Sequence, residues 1–334
     1  MKISTPRWWY RRSGGGVAAR LLQPLAAVFA GQTARRIQTT TSFDPGVPVI
    51  SIGNLTVGGS GKTPVVRETL HMLARNGVDA HAVSRGYGGS LVGPVEVDPD
   101  HHTAAEVGDE PLMIAQEHPV WIARDRAEGA RAAVAAGAKL LVLDDAHQNP
   151  SVLKTRSIIV VDGETRNGEW PFGDGSVVPA GPMREPFVVG LARADGVVVM
   201  LPSDMDAPDP ALLALFGDLP VTVGRLAPTR SPSPGPKLGF AGIAKPWRVE
   251  RSLRAAGVEL KGFRSFPDHG VYSPAVLAGL AHEADRLGAG LITTEKDWVR
   301  LPPDWRSRVE VWPVRVRFDE EDTILDLLPQ DLGG

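Results

Sequence analysis

The sequence contains no cysteine among its 334 residues. Disulfide bonds, thiolate metal sites and cysteine nucleophiles are therefore excluded, and the composition fits a reducing compartment. The sequence also has no low-complexity tract and no internal repeat. Since 43% of the residues are hydrophobic and 22% are charged, the chain has enough apolar material for the core of one large or two modest domains.

Acidic residues are absent from positions 1–43, although the whole chain has a net charge of −3. A basic segment of this kind can serve nucleic acid or an anionic membrane. Its aromatic residues favour the membrane, because Trp8, Trp9 and Tyr10 lie between arginines and are typical of the bilayer interface. The segment contains the basic residues Lys2, Arg7, Arg11, Arg12, Arg20, Arg35 and Arg36 and an apolar stripe of Leu21, Leu22, Leu25, Val28 and Phe29.

A hydrophobic run long enough to cross a bilayer is missing from this segment. Its longest uncharged run extends from Leu21 to Ala34. As a helix this run covers ~21 Å at ~1.5 Å per residue, against a hydrocarbon core of ~30 Å. We therefore predict that residues 1–43 form a basic amphipathic segment with a helix that lies in the membrane interface. Two other interpretations stay open: a secretory signal cleaved near Val28-Phe29-Ala30, and a helix that packs on the domain, which is compatible with a membrane role.

The most informative motif is Asn-Leu-Thr-Val-Gly-Gly-Ser-Gly-Lys-Thr at Asn54 to Thr63. It follows an apolar run and precedes a helical pattern, which predicts the strand, glycine-rich turn and helix of a phosphate-binding loop. Backbone N–H groups and the helix N-terminus would hold the phosphates of ATP or GTP, with Lys62 at the β and γ phosphates and Thr63 on Mg²⁺. The predicted nucleotide-binding residues are Thr56, Val57, Gly58, Gly59, Ser60, Gly61, Lys62 and Thr63. The usual first glycine is replaced by Thr56, so an incidental glycine-rich turn is the alternative.

Strand and helix patterns alternate from residue 47 onward. This alternation predicts an α/β fold of the P-loop NTPase type, with a parallel sheet covered by helices on both faces. We expect a nucleotide-binding and catalytic domain at residues 44–190 and a smaller α/β lobe at residues 191–334 that closes a cleft over it. The predicted strands are residues 47–52, 78–84, 120–123, 138–143, 157–162, 196–201, 237–241, 258–265, 290–294 and 309–316. The predicted helices are residues 64–76, 110–118, 124–136, 246–256, 274–287 and 320–328.

Two pairs of carboxylates follow or begin these elements. Asp144 and Asp145 end an apolar strand, as does the second motif of P-loop enzymes, whose acid helps to hold Mg²⁺. Asp109 and Glu110 open a helix, where acids often only complement the helix dipole. Beside a nucleotide loop they are also candidates for Mg²⁺ contact and for general base catalysis.

Three further motifs occur at strand ends. Arg85 could contact phosphate and Tyr87 could stack on a base or sugar, unless this is a plain surface turn. His269, next to Asp268, could pair with a distant carboxylate and help to take a proton from a hydroxyl, although an isolated loop histidine is more often structural. The segment Thr294-Glu295-Lys296-Asp297 is either a helix cap or part of the cleft lining.

Together these motifs resemble the tetraacyldisaccharide 4′-kinase family of lipid A biosynthesis, from about residue 5 to residue 330. Thr56 in place of the loop glycine is that family's own pattern. The matching segments, in family order, are residues 52–64, 84–88, 107–111, Asp144-Asp145 with Gln148, residues 179–182 with Arg184-Glu185, Phe266 with Asp268-His269, and residues 294–297.

The resemblance implies a kinase that uses ATP and Mg²⁺ to phosphorylate the 4′-hydroxyl of tetraacyldisaccharide 1-phosphate, giving lipid IVA. It implies a peripheral protein on the cytoplasmic face of the bacterial inner membrane, whose partners are the lipid A disaccharide precursor and the anionic membrane surface. We expect a monomer that does not bind nucleic acid. The implied roles are Asp109 as general base with His269 as its partner, Lys62 at the phosphates, Tyr87 beside the nucleotide, and Thr63, Asp144, Asp145 and Glu110 around Mg²⁺.

Four positions, in three motifs, depart from the family pattern. The usual Asp-Asp-Gly-Phe-Gln has Ala146 and His147 at its third and fourth positions, Gly270 replaces a second histidine, and Lys245 replaces an asparagine before Pro246. These changes leave the predicted nucleotide, metal and base residues intact.

A different class of protein shares the phosphate-binding loop, namely the membrane-recruited switch ATPases of the partitioning type. Those proteins usually carry an additional lysine just before the loop core, where this chain has Val57. A nucleic-acid-binding NTPase is a weaker alternative, because the chain beyond residue 43 is acidic overall.

Overall fold

The computed structural model describes residues 6–328. Lys2 of the basic segment and the outer ends of the first and last predicted domains lie outside these residues. The helices are α1 (Gly16–Thr39), α2 (Lys62–Arg75), α3 (Ala104–Val107), α4 (Asp109–Ala115), α5 (Arg126–Ala135), α6 (Phe187–Leu191), α7 (Pro210–Leu213), α8 (Pro246–Ala255), α9 (Pro274–Leu287), α10 (Glu295–Trp298), α11 (Pro303–Arg306) and α12 (Glu321–Leu327). Short 3₁₀ helices cover Arg7–Tyr10, Arg166–Gly168 and Ala214–Phe216.

The strands form a large sheet and a small sheet. They are β1 (Val49–Gly53), β2 (Ala80–Ser84), β3 (Val95–Glu96), β4 (Val120–Ile122), β5 (Leu140–Asp144), β6 (Arg156–Asp162), β7 (Gly196–Leu201), β8 (Val221–Pro228), β9 (Lys237–Ala241), β10 (Leu260–Ser265), β11 (Gly290–Thr294), β12 (Val309–Trp312) and β13 (Val314–Phe318). The large sheet has the order β13-β8-β7-β6-β1-β5-β2-β4-β3, and the small sheet has the order β10-β9-β11-β12. All pairs are parallel except β13 with β8 and β3 with β4, at the two edges of the large sheet.

Helices cover both faces of the large sheet, which confirms the predicted fold class. Strand β1 is buried along its whole length, and its side chains alternate between two cores. Ile50 and Ile52 pack in a cluster that contains Leu70 of α2, whereas Val49 packs in a cluster that contains Ala130 of α5. Since β5 pairs with β1 in parallel, with Ile52 opposite Asp144, the phosphate-binding loop and the acidic pair emerge at the same edge of the sheet.

The two sheets do not divide the chain at residue 190, where we expected the domain boundary. Strands β7, β8 and β13 belong to the large sheet, because β7 continues its parallel pairing beside β6. An apolar pattern predicts a buried strand but not the strand beside it. The sequence therefore did not show that β7, β8 and β13 belong to the large sheet. The predicted single strand at residues 309–316 is two strands, interrupted at Pro313, which cannot donate a backbone hydrogen bond. By sheet membership we propose residues 237–312 as the small lobe.

Helix α1 packs on the large domain through one face only. Ala19, Ala26 and Thr33 are buried, while Leu21 and Leu25 are 75% and 59% exposed. The exposed side of the helix also carries the apolar residues Val17, Val28 and Phe29. Leu22, which we placed in the apolar stripe, instead packs against the core. Within residues 6–328, no helix combines the length and the apolar character that a membrane span requires.

Candidate active site

The phosphate-binding loop connects β1 to α2, as its sequence predicts. Gly58 has φ +107° and Gly61 has φ +87°, which side chains rarely adopt, and a Cβ at Gly61 would lie 3.1 Å from Met200 Cγ. Inside the loop, Asn54 Nδ2 donates a hydrogen bond to Ser60 Oγ at 3.2 Å. The loop therefore has a fixed shape, with its glycines at the positions where the backbone turns, and the N-terminus of α2 points into it.

The segment after the 3₁₀ helix Arg166–Gly168 supports this loop from outside. Val57 N–H donates to Pro182 O at 2.9 Å, and Arg184 Nε donates to Thr56 O at 3.0 Å. Both supporting residues belong to the motif at 179–185, which we recognised only through the family resemblance. Arg184 thereby links the loop backbone to the acidic pair, because its Nη1 also donates to Asp145 Oδ1 at 2.7 Å.

Asp145 is paired with cations of the protein. Its Oδ1 lies 3.7 Å from Lys62 Nζ, in addition to the contact with Arg184. Burial alone raises the pKa of Asp145, but Lys62 and Arg184 outweigh burial and lower that pKa to about 2. Its backbone φ of +50° turns the side chain away from the line of β5. Arg126, which sequence reasoning missed, holds this turn. It donates hydrogen bonds to the carbonyl oxygens of Asp144 and Asp145 at 3.2 and 2.9 Å.

Asp144 has the opposite environment. Its Oδ2 accepts a 3.4 Å hydrogen bond from Ser84 Oγ, and its buried Oδ1 has no hydrogen-bond partner among the described residues. Burial, Glu110 and Asp145 raise the pKa of Asp144 to about 7. A buried carboxylate oxygen that lacks a donor and faces other carboxylates fits a divalent cation with oxygen ligands, and Mg²⁺ prefers this donor set. Thr63, at the start of α2, is also buried.

The structure brings Asp109 and His269 together from the two lobes. His269 Nδ1 lies 2.7 Å from Asp109 Oδ2, and only 5% of the Asp109 side chain is exposed. Glu110 N–H donates to Asp109 Oδ1 at 3.0 Å, so both carboxylate oxygens are occupied. Burial raises the pKa of Asp109, but the hydrogen bond with His269 and the charges of Lys296 and Arg300 outweigh it, and the pKa lies below its usual value.

Lys296 belongs to this site as well, although sequence reasoning gave it no role of its own. Its Nζ lies 3.1 Å from Glu110 Oε1, 3.4 Å from His269 Nε2 and 4.0 Å from Asp109 Oδ2. Ligand atoms of Asp109, Glu110 and His269 lie within 4.8 Å of one another, a spacing that could hold a metal ion. The ammonium of Lys296 supplies a cation to these three groups. Burial lowers the pKa of Lys296, but Glu110, Asp109 and Asp268 outweigh burial and raise it.

The only signal for Lys296 was its motif, which has both of the roles we considered. Thr294 caps α10, accepting a hydrogen bond from Asp297 N–H at 3.0 Å. The same short helix projects Lys296 toward Glu110. Arg300, in the turn after this helix, approaches Asp109, with 3.9 Å between Arg300 Nε and Asp109 Oδ2. Arg300 was also missed, because it lies beyond the motif.

Tyr87 lies beside the Asp109–His269 pair. Its ring is 67% exposed and meets the His269 ring edge-on, with 5.9 Å between centroids. An exposed aromatic face at the mouth of the site is compatible with the predicted contact to a base or sugar. Arg85 is exposed in the same loop.

The residues that depart from the family pattern have structural contacts. His147 is buried; its Nδ1 lies 2.8 Å from Ser157 Oγ and its Nε2 lies 2.9 Å from Gly190 O. Burial lowers the pKa of His147 to about 4, so the ring is neutral at pH 7. Lys245 Nζ lies 2.9 Å from Asp162 Oδ2, which ties α8 of the small lobe to the end of β6.

The chain is similar to proteins of one family over nearly its whole length. The sequence profile of the family described as tetraacyldisaccharide-1-P 4′-kinase, LpxK, matches residues 18–332. The chain is 59% identical to the tetraacyldisaccharide 4′-kinase of Caulobacter vibrioides (strain NA1000 / CB15N), over 100% of both chains. It is 45% identical to that of Rhodospirillum centenum (strain ATCC 51521 / SW), over 99% of this chain and 98% of the relative. A crystal structure of LpxK from Aquifex aeolicus in complex with ATP has the same fold, with a TM-score of 0.74 at 24% identity over 93% of this chain and 98% of that one.

Proposed function

Since this chain belongs to the tetraacyldisaccharide-1-P 4′-kinase family, we propose that it transfers the γ-phosphate of ATP to the 4′-hydroxyl of tetraacyldisaccharide 1-phosphate, giving lipid IVA. The observation that carries the proposal is the Asp109–His269 pair, 2.7 Å apart, next to the acids that adjoin a phosphate-binding loop. A loop alone would serve any nucleotide-hydrolysing protein. The buried carboxylate–imidazole pair adds a group that can take a proton from an alcohol.

We assign the triphosphate to the loop Thr56–Thr63. Its backbone N–H groups and the N-terminus of α2 would hold the phosphate oxygens, and Lys62 would neutralise charge on the β and γ phosphates. Lys62 is held near Asp145 at 3.7 Å, so its ammonium is positioned before nucleotide binds. Tyr87 would contact the nucleotide from the rim of the site.

We assign Mg²⁺ to Asp144 and Thr63, with Asp145 and Glu110 nearby. When bound, the metal would supply positive charge to the phosphate oxygens as the bond to the γ-phosphate breaks. Asp144 is the ligand whose Oδ1 receives no hydrogen bond from the part of the chain that the structure describes. Asp145 already pairs with Lys62 and Arg184, and Glu110 already pairs with Lys296. The contribution of these two carboxylates is therefore to set the charge around the site.

Asp109 would act as the general base. It is ionised at neutral pH, since its pKa is below the usual value, and a sugar hydroxyl hydrogen-bonded to it would lose its proton as the oxygen attacks the γ-phosphate. His269 orients the carboxylate and can share the proton, because Nδ1 already lies within hydrogen-bond distance of Oδ2. Lys296 and Arg300 stabilise the anionic form of Asp109 between turnovers.

Helix α1 would place this site at a membrane surface. Its exposed apolar face is bordered by Arg20 and Arg35, and each basic side chain near an anionic surface contributes about 1 kcal/mol. The protein would therefore bind as a peripheral monomer on the cytoplasmic face of the bacterial inner membrane, where ATP is available. The sugar headgroup would enter the cleft while the acyl chains stay in the bilayer.

The test is transfer of γ-³²P from ATP to a tetraacyldisaccharide 1-phosphate in mixed micelles, with the position of the new phosphate determined by mass spectrometry. We expect lipid-dependent consumption of ATP and phosphate at the 4′ position. ATP hydrolysis that is rapid and indifferent to the lipid would instead indicate a membrane-recruited switch ATPase.

A further inference from the structure

The N-terminal segment touches the phosphate-binding loop itself. The 3₁₀ helix Arg7–Tyr10 ends with Tyr10, whose hydroxyl donates a hydrogen bond to Val57 O at 2.9 Å. The same hydroxyl lies 3.0 Å from the position that a Cβ would take on Gly58. A residue from the segment that we expect at the membrane therefore contacts the phosphate-binding loop.

This contact fixes the orientation of one peptide unit of the loop. The carbonyl oxygen of Val57 and the N–H of Gly58 belong to the same planar trans peptide, so they point in opposite directions. Because Tyr10 binds the Val57 carbonyl oxygen, the Gly58 N–H is directed to the other side of this peptide and would donate to a phosphate held there. Phosphate-binding loops hold their phosphates through backbone N–H groups of this kind.

Tyr10 is in turn held on a rigid support. Trp170 N–H donates to Tyr10 O at 2.7 Å, and Arg11 forms a β-bridge with Glu169. The guanidinium of Arg12 lies 4.2 Å from the centre of the buried Trp170 ring. The support continues into α1, because the Trp8 ring packs against Gly15, immediately before the first residue of the helix, with no room for a Cβ. Tyr10 and the start of α1 therefore form one packed unit.

We propose that Tyr10 is a positioning residue of the nucleotide site that couples this site to the membrane-binding helix. A bilayer that holds α1 and residues 7–12 in place would favour the state in which Tyr10 contacts Val57, and the loop would then bind nucleotide more tightly. By linkage, bound nucleotide raises the affinity for the bilayer by the same factor. The inference rests on the proposed function, since it requires both a nucleotide and a membrane site.

The first experiment needs no variant. The affinity of the full-length protein for Mg²⁺ and a non-hydrolysable ATP analogue is measured by calorimetry, with and without vesicles of phosphatidylglycerol and phosphatidylethanolamine. Vesicle affinity is measured by sedimentation with and without the analogue. We expect both affinities to rise, each by about fivefold, the effect of one hydrogen bond of ordinary strength. Two affinities that are each measurable but independent of one another would overturn the coupling and leave the proposed function standing, whereas no binding of nucleotide or vesicles would count against the proposed function.

The second experiment assigns the coupling to the hydroxyl. Tyr10→Phe keeps the ring and removes only the donor, so we expect weaker analogue binding, loss of the vesicle effect on nucleotide affinity, and a KM for ATP that rises more than kcat falls. Trp9→Phe, in the same 3₁₀ helix and with no side-chain hydrogen bond to the loop among the described residues, is the matched control and keeps the vesicle effect. A Tyr10→Phe protein with unchanged nucleotide affinity and an unchanged vesicle effect would remove Tyr10 from the coupling.

Discussion

Lys296 Nζ lies 3.1 Å from Glu110 Oε1, and this contact joins the small lobe to the helix that carries the proposed general base. Asp109 precedes Glu110 in the first turn of α4, and His269 reaches it from the corner after β10. The proposed catalytic pair therefore takes one residue from each lobe. Lys296 contributes the positive charge at that junction.

Removing the charge of Lys296 is expected to shift the pH dependence of kcat. Without the ammonium, Asp109 binds its proton more tightly, because one of the charges that lower its pKa is gone. The base is then protonated at a higher pH. The acidic limb of the pH–rate profile of Lys296→Met should move to higher pH.

Lys296→Arg is the matched control, since it keeps the charge and should leave the acidic limb nearly in place. A uniform loss of activity in Lys296→Met, with the acidic limb unmoved, would mean that the lysine acts only as a structural link between the lobes.

Asp109→Asn is expected to lower kcat by roughly 10²–10⁴-fold, the range that a general base supplies. The amide keeps the shape of the carboxylate and can still contact His269, but it cannot accept the proton of the sugar hydroxyl. Affinity for ATP, measured by calorimetry, should change by less than about threefold, because the proposed phosphate site is the loop and does not include Asp109.

Asp268→Asn is the control for charge near the pair, because Asp268 Oδ1 lies 3.7 Å from His269 Nε2 but does not contact Nδ1. Turnover of Asp109→Asn at the level of the Asp268→Asn control would remove the base assignment.

Local pattern predicted the parts of the site that are formed by neighbouring residues. The phosphate-binding loop lies between one strand and the next helix, and Asp144 ends a strand of its own, so the sequence Asn54 to Thr63 and the acidic pair were both visible. The alternation of strands and helices predicted the fold class for the same reason. Apolar side chains repeat every two residues in a strand and about every four residues in a helix. Both repeats can be read along a single segment.

The pairing across the lobes could not be read in this way. His269 and Asp109 are 160 positions apart, and only the family resemblance suggested that they meet. Arg300 and Arg126 act through tertiary contacts, and nothing in their local sequence distinguishes them from surface cations. Lys296 was marked only by its motif, which did not give its partners. The prediction that β7 and β8 belong to the smaller lobe failed for a similar reason, because a strand's hydrophobicity does not specify its neighbour.

The apolar face of α1 gives a prediction for membrane binding. Leu21 and Leu25 are exposed, so Leu21→Gln with Leu25→Gln removes apolar contact with a bilayer while the buried Ala19 and Ala26 continue to hold the helix on the domain. We expect the double variant to bind anionic vesicles at least about tenfold more weakly in sedimentation assays.

A second double variant controls for general loss of surface hydrophobicity. Leu215→Gln with Leu226→Gln changes two exposed leucines outside α1, each 39% exposed, and should bind vesicles as the unchanged protein does. Equal vesicle affinity for both double variants would show that α1 is not the membrane-binding face.

His147 gives a prediction for stability against pH. Its folded-state pKa of about 4 lies below the ordinary value of 6.5, because the buried ring must stay neutral between Ser157 and Gly190. Between these two pH values the unfolded chain takes up a proton that the folded protein excludes. The stabilisation is therefore complete above pH 6.5 and is lost as the pH falls toward 4, with a loss of about 2 kcal/mol expected at pH 5.

The measurement is the free energy of urea unfolding at pH 7.5 and pH 5. His147→Phe cannot take up this proton, so its free energy should depend less on pH by that amount, whereas His282→Gln, which removes an exposed histidine, should follow the unchanged protein. Identical pH dependence in the unchanged protein and in His147→Phe would contradict the buried neutral state of the ring.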